Sequence, residues 1–201
     1  MKILVVAAMS NELKAIKEWI KSANLKEKLN IDYLCCGIWN YETISSLERY
    51  LTENKEPTFI WNIWICGYWN LKSEKKSDPI QVASVINIHT EKEFIIPPFL
   101  HIAPLKNCFC SENVISQKPE NINNETYFDM ESWWIEFVAS KYKFPRLILK
   151  VPFDIIWVDN DVKEKDYKLL SERIWNLLSN LDDHNYINSI IEWISKQTWK
   201  N

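Results

Sequence analysis

Three acidic residues stand where a carboxylate could donate or accept a proton during catalysis. Glu12 follows the apolar run 2–8 in the first turn of a predicted helix, Glu131 begins an otherwise apolar helix, and Asp154 follows a predicted strand. Two of them have ordinary structural explanations, because a helix dipole favours an acid at the position of Glu12 and Asp is common in loops and caps. Glu131 is harder to explain in this way, and the surrounding elements decide whether the three form a site.

The composition is that of a globular protein. The chain has 201 residues, of which 47% are hydrophobic and 25% charged, so we expect one domain over 1–201 and no general disorder. The net charge is −3, from 24 basic and 27 acidic residues. Since no sustained basic patch accompanies it, we do not expect a nucleic-acid partner.

Cysteines and the N-terminus predict a cytoplasmic protein without cofactors. The five cysteines include the adjacent pair Cys35 and Cys36, and most lie in apolar runs, which favours buried thiols over disulfides. Cys108 and Cys110 lack a second ligand pair at zinc-site spacing, so we expect no metal and no organic cofactor. The apolar N-terminal run has no cleavage site and falls short of the roughly 18 residues of a membrane span, so we expect no membrane association.

Tryptophan and glycine occur in unusual numbers. The chain has eleven tryptophans and two glycines, whereas average usage predicts roughly 14 glycines. Trp39, Trp64 and Trp69 stand close to Gly37 and Gly67, in segments where α/β turns commonly need glycine. We hypothesise that many of these tryptophans are glycine in the natural protein, because some bacterial lineages translate the codon UGA as glycine. A genuinely tryptophan-rich protein is the alternative.

Apolar periodicity predicts alternating strands and helices, and this alternation is typical of an α/β fold. Strands are predicted at 2–8, 31–36, 59–66, 81–89, 93–96, within 107–115, and at 146–151; helices are predicted at 10–23, 43–54, 130–141, 165–181 and 186–196. The segment 116–126 reads as a surface connection. We therefore expect a three-layer α/β/α arrangement around a central mixed sheet.

Three segments resemble the family that contains methylthioadenosine/S-adenosylhomocysteine nucleosidase and the purine nucleoside phosphorylases. They are the opening strand and turn through Glu12, the segment Asn62–Trp69 with glycine substituted for two of its tryptophans, and Phe128-Asp-Met-Glu-Ser132 with the strand leading to Asp154. Gly37-Ile-Trp39-Asn matches a further glycine turn. The resemblance covers most of residues 1–160 and implies a phosphorylase/hydrolase-like fold.

The resemblance also implies roles for individual residues. Asp154 would protonate N7 of a departing purine, and Glu12 would activate the attacking water. Glu131 would accept both ribose hydroxyls, since a carboxylate has two acceptor oxygens, and Met130 would pack against the sugar.

The same family pattern suggests several weaker assignments. The backbone of Val114 and Ile115 would hold the purine, and Gly67 would let the nucleoside approach the glycine turn. Lys150 stands where the family carries arginine. Lysine keeps the positive charge but lacks the planar guanidinium group that can donate two parallel hydrogen bonds to an anion. A homodimer is implied by the resemblance alone.

These residues favour a purine nucleosidase acting on methylthioadenosine, S-adenosylhomocysteine or a similar adenosine-type nucleoside. Phosphorolysis is the alternative, because Lys150 could bind phosphate, although an anionic Glu12 would repel it. A non-catalytic nucleoside-binding protein also stays open, because the middle segment is shortened and Pro152-Phe153 replaces small residues before Asp154.

Overall fold

The computed structural model describes residues 2–27, 29–54, 56, 58–69, 78–98, 100–115, 125–155, 167–183 and 185–197. The strands are β1 (Lys2–Ala7), β2 (Ile31–Cys35), β3 (Thr58–Trp69), β4 (Ile80–Asn87), β5 (Glu93–Ile95), β6 (Leu105–Cys110), β7 (Thr126–Asp129) and β8 (Arg146–Ile155). The helices are α1 (Ser10–Ser22), α2 (Asn40–Glu53), α3 (Ser132–Tyr142), α4 (Tyr167–Asp183) and α5 (Tyr186–Gln197), with a short 3₁₀ turn at Leu25–Glu27.

The first part of the sheet is parallel and buried. β1 lies between β2 and β3 and pairs in parallel with both. All residues of β1 after Lys2 are buried, which explains the continuous apolar run, because strands covered on both faces do not alternate with polar residues. β8 continues the parallel pairing on the other side of β3.

Further along the chain the sheet closes on itself. β3 pairs with β7, β7 with β6, β6 with β4, β4 with β8, and β8 returns to β3. The described strands therefore form a mixed sheet in which five members make a closed ring, with helices packed around it. The predicted mixed α/β fold is confirmed, but the predicted three-layer sandwich is wrong for this part of the sheet.

The length of β3 accounts for the closure. Its first half pairs with β1, whereas its last residues, Gly67–Trp69, pair with β7. The predicted strand ended at Cys66, before Gly67, but the real strand continues to Trp69 because its last residues pair with β7 and β8. Periodicity identifies a strand without its partners, so it could not show that one twisted strand pairs with different neighbours along its length.

Helices cover the sheet as amphipathic elements. α1 places Leu13, Ile16 and Ile20 in the core and packs against α4, while α2 packs against α3. Several boundaries differ from the predicted ones by a few residues, most clearly at α3, which begins at Ser132 rather than at 130. Of the predicted connection 116–126, residues 116–124 lie outside the described residues and Thr126 begins β7. None of the described helices combines the length and apolar character needed to cross a membrane.

Candidate active site

A fully buried ion pair lies at the centre of the candidate site. The Nζ atom of Lys150, in the middle of β8, is 2.5 Å from Oδ2 of Asp129, and their side chains are 0% and 1% exposed. Burial by itself would lower the pKa of Lys150, but the negative charges around it, those of Asp129 and Glu131 among them, outweigh that effect and raise the pKa well above its usual value. Lys150 is therefore a permanent cation inside the protein.

Asp129 is held in place by the start of α3. Its Oδ2 accepts hydrogen bonds from the backbone N–H of Ser132, at 3.1 Å, and from the Ser132 hydroxyl. Asp129 ends β7, so one carboxylate joins a strand end, a helix start and Lys150. Asp129 belongs to the motif Phe128-Asp-Met-Glu-Ser132, but the family resemblance implied no role for it. The available signal was an acid directly after a buried strand and three residues before a helix-starting serine.

Glu12 is buried although it lies in the first turn of a surface-type amphipathic helix. Its side chain is 0% exposed, and Oε2 accepts the Met9 N–H at 3.1 Å. Oε1 has no hydrogen-bond partner among the described residues. Burial raises the pKa of Glu12 to about 7, against the opposing effects of the Met9 N–H and Lys150. An acid placed there only to complement a helix dipole would remain in water, which Glu12 does not. Its raised pKa suits proton transfer near neutral pH.

Glu131 belongs to the same cluster. It is 3% exposed, and Oε2 accepts the Met130 N–H at 3.3 Å. Burial raises the pKa of Glu131 well above its usual value, and the charges of Asp129 and Glu12 raise it further, while Lys150 opposes them. Three carboxylates thus lie around one ammonium, and burial makes Glu12 and Glu131 retain their protons more strongly than exposed acids would.

Asp154 lies near the end of β8, four residues beyond Lys150. It is half-buried and pairs with Gly67 of β3 across the parallel ladder. Burial raises the pKa of the Cys66 thiol, and that thiol also senses Lys150, Asp129 and Asp154. Cys66 therefore lies within electrostatic range of both the ion pair and Asp154. The structure brings Glu12, Glu131 and Lys150 together, with Asp154 at the adjoining strand end.

The remaining candidate residues lie around this cluster. Met130 is half-buried beside Glu131, and Gly67 lies inside β3 rather than in a turn. The segment after β6 begins next to the cluster, because the Ser111 N–H donates to the Asp129 carbonyl at 2.9 Å. Further along it, Val114 is 75% exposed and Ile115 is half-buried. The backbone of this segment starts close to the site, whereas the Val114 side chain faces solvent.

The tryptophans near the two glycines do not occupy glycine-like backbone. Trp39 precedes α2 with φ −97°, and Trp64 and Trp69 belong to β3. Among the residues that the structure describes, those with left-handed backbone are Asn24, Gly37, Glu91, Lys143 and Asn185. The turn expected at Gly67, after a strand ending at Cys66, is thus wrong, because β3 continues through Gly67 to Trp69. Trp64 is 4% exposed, and its ring centre lies 5.3 Å from Lys150 Nζ, so its indole fills space beside the cluster.

Within the described ranges, no group of three or more His, Cys, Asp or Glu residues has an arrangement that could hold a metal ion. The cluster consists of carboxyl groups around the Lys150 ammonium. Proton transfer and hydrogen bonding are the chemistry that these groups can perform.

The fold and the cluster define an α/β protein with buried acids after the ends of β1 and β7. Ligands of α/β sheets commonly bind beyond the carboxyl ends of parallel strands such as β1. Solved nucleosidase structures share this fold. An MTA/SAH nucleosidase is 16% identical, with 91% of this chain and 95% of that chain covered and a TM-score of 0.73. The MTAN of Chlamydia trachomatis, solved with bound MTA, is 16% identical over 92% and 98% of the two chains, with a TM-score of 0.68.

A plant structure shows the same likeness. The 5′-methylthioadenosine nucleosidase of Arabidopsis thaliana, in its apo form, is 15% identical over 91% of this chain and 95% of that one, with a TM-score of 0.68. No protein-family model matches the sequence, and no curated protein matches it. The predicted likeness to the nucleosidase fold is confirmed by these structures.

Proposed function

We propose that the protein is a purine nucleosidase, which hydrolyses the N-glycosidic bond of an adenosine-type nucleoside such as methylthioadenosine or S-adenosylhomocysteine. The observation that carries the proposal is Glu12, a buried carboxyl group with a pKa of about 7 and one oxygen that lacks a partner among the described residues. A group of this kind accepts a proton from water near neutral pH. The likeness to nucleosidase structures supports the same reaction.

The proposed step uses three carboxyl groups. Water attacks C1′ of the ribose while Glu12 takes its proton. The C1′–N9 bond breaks, its electron pair leaves with the purine, and Asp154 supplies a proton to N7. Glu131 accepts hydrogen bonds from the ribose hydroxyls, which positions the sugar beside Met130. No metal or organic cofactor takes part in this scheme.

The environment of Lys150 supports water over phosphate as the nucleophile. A phosphate-binding lysine needs an ammonium group that is not already engaged by a carboxylate, whereas Lys150 is paired with Asp129 at 2.5 Å. A phosphate dianion there would also meet the charges of Glu12, Asp129 and Glu131. We therefore rank phosphorolysis below hydrolysis.

The proposal includes a homodimer in the cytoplasm. Four large apolar side chains are exposed at the start of α2 and on the neighbouring α3: Ile38, Trp39, Tyr41 and Phe137. A contact between two copies of the chain would cover them. Sedimentation analysis tests the dimer, and a monomer at micromolar concentration would contradict it.

Base release measured by chromatography tests the proposed reaction. The substrates are methylthioadenosine, S-adenosylhomocysteine, adenosine, inosine and futalosine, each with and without phosphate. We expect phosphate-independent release of adenine from at least one adenosine-type substrate. Strictly phosphate-dependent release would establish the phosphorylase instead. A folded protein that binds a nucleoside and releases no base would establish the binding protein.

A further inference from the structure

The backbone immediately before Asp154 is irregular. β3 and β8 pair in register up to Cys66 and Pro152, and pairing then resumes between Gly67 and Asp154. Phe153 is therefore an extra residue in β8, and such bulges redirect the side chains that follow them. Pro152 also lacks an N–H group with which to hold the ladder. The strand end that carries Asp154 consequently needs support from outside the sheet.

Arg173 of α4 supplies that support. Its Nη1 donates hydrogen bonds to the carbonyl oxygens of Pro152 and Phe153, at 2.7 and 3.1 Å. The guanidinium centre also lies 5.0 Å from the centre of the Phe153 ring. The planar guanidinium can donate in its own plane and stack on an aromatic face at the same time, which a lysine ammonium cannot do. Three contacts therefore fix two successive residues of the bulge.

α4 itself is firmly anchored. The next residue, Ile174, is 0% exposed, and Leu177 and Leu178 one turn later are 2% and 0% exposed. α4 also packs against α1, the helix that carries Glu12. Arg173 therefore contacts the bulge from a firmly packed helix, and that helix also packs against α1, which carries the proposed general base Glu12.

We propose that Arg173 is a positioning residue for Asp154, acting through the Phe153 bulge to hold the carboxyl group where it can protonate the leaving purine. The inference rests on the proposed function, because it gives Arg173 a role in that reaction. Arg173 lies outside residues 1–160, so the sequence resemblance gave it no role. Proton transfer is sensitive to the distance between donor and acceptor, and a displacement of about 1 Å can cost about a hundredfold in rate.

The opposite end of β8 provides a matched control. Arg146 begins the strand, at the end opposite to Asp154, and forms a bidentate ion pair with Glu136, whose side chain is 0% exposed. The double variant Arg146→Gln/Glu136→Gln removes this pair without leaving a buried charge. It perturbs the same strand through the same residue type, but not through the bulge.

The experiment compares wild type, Arg173→Gln, Arg173→Lys and the double control by steady-state base release from methylthioadenosine. For Arg173→Gln we expect kcat to fall about ten- to a hundredfold with KM unchanged, and millimolar guanidinium ion to restore part of the rate. Arg173→Lys should lie between Arg173→Gln and wild type. The double control should lose stability and keep kcat. An unchanged kcat in folded Arg173→Gln, or equal losses in that variant and the control, would overturn the proposal.

Amide hydrogen exchange separates this inference from the proposed function. In Arg173→Gln, amides of residues 153–155 should exchange faster than in wild type and in the double control; unchanged exchange overturns the inference whatever the activity. If wild type releases no base from any substrate, the proposed function fails, and faster exchange then shows Arg173 to be a local restraint without a catalytic partner. If Arg173→Gln does not fold, Arg173→Lys takes its place in both measurements, with a lower kcat and faster exchange expected.

Discussion

The ammonium nitrogen of Lys150 lies 2.5 Å from Oδ2 of Asp129, and both side chains are closed off from solvent. The same carboxylate oxygen accepts two hydrogen bonds from Ser132. One contact thus joins the middle of β8 to the end of β7 and the start of α3. Glu12 and Glu131 both sense the charge of Lys150, which opposes the larger effect of burial on the pKa of each, so this pair contributes to the electrostatics of the proposed site as well as to its packing.

Removing the cation should destabilise the protein strongly. In Lys150→Met, Asp129 loses its counter-ion while it remains buried beside Glu131. Breaking a buried pair at one partner typically costs about 3–5 kcal/mol, and we expect a loss of that size in urea unfolding at neutral pH. The double variant Lys150→Met/Asp129→Asn should recover part of it, since position 129 then carries no buried carboxylate that lacks its counter-ion. Equal losses in the single and double variants would contradict this account.

The stability of the protein should depend on pH through Glu12. Its pKa rises from 4.5 to about 7 on folding, so the folded state binds more protons between these values and stability falls as pH rises through this window. Glu12→Gln lacks this effect. The unfolding free energy of Glu12→Gln minus that of wild type should therefore increase by about 3 kcal/mol as the pH rises from about 4.5 to 8.

Urea titrations at several pH values measure the difference between Glu12→Gln and wild type. Glu18→Gln is the matched control, because Glu18 lies exposed on the same helix. A pH-independent difference between wild type and Glu12→Gln would refute the buried, raised pKa of Glu12.

The rate of base release should follow the ionisation of the same group. If Glu12 accepts the proton of water, only its ionised form is active, so kcat/KM, which reports ionisation in the free enzyme, should rise with pH and level off above about 7. The measurement is a pH profile of kcat/KM for the substrate with the fastest release. A profile that stays flat between about pH 5 and 8 would exclude Glu12 as the base.

Parts of the site could be predicted from sequence for physical reasons. Glu12 follows a strand that is apolar along its whole length, and burial of both strand faces brings the next helix start into the interior. The motif around Glu131 was similarly informative, because an acid seldom begins an otherwise apolar helix. The roles expected for both residues came from the family resemblance, and the structure then showed that both side chains are buried.

Other parts depended on long-range pairing. Asp129 became important only when β8 placed Lys150 next to it, although the two residues are 21 positions apart. The closed ring of strands and the bulge at Phe153 arise from the register between β3 and β8, and Arg173 reaches that bulge from a separate helix. Periodicity records which face of an element is apolar and contains no information on register between distant strands.

Asp154→Asn should distinguish an enzyme from a binding protein. The amide cannot supply the proton that the departing purine needs, so we expect kcat to fall about 10²–10⁴-fold. Nucleoside affinity, measured by calorimetry, should change little. Asp183→Asn, at an exposed position on α4, is the control and should keep full activity. Full activity in Asp154→Asn would remove that residue from the mechanism.

Trp64 offers the sharpest test of the glycine hypothesis. Its indole is 4% exposed beside Lys150, so Trp64→Gly should cost about 3–5 kcal/mol in urea unfolding. If glycine is the natural residue, the space released beside the carboxylate cluster should also increase base release.

Trp39→Gly is the matched control for Trp64→Gly. Trp39 is 49% exposed at the N-cap of α2, a position where glycine is well tolerated, and we expect neither stability nor rate to change much. Peptide mass spectrometry of the protein from its natural source gives the direct answer, with glycine expected at positions 39, 64 and 69. Tryptophan at these positions, together with lower activity in Trp64→Gly, would refute the hypothesis. The Trp64 indole would then be a native part of the lining of the site.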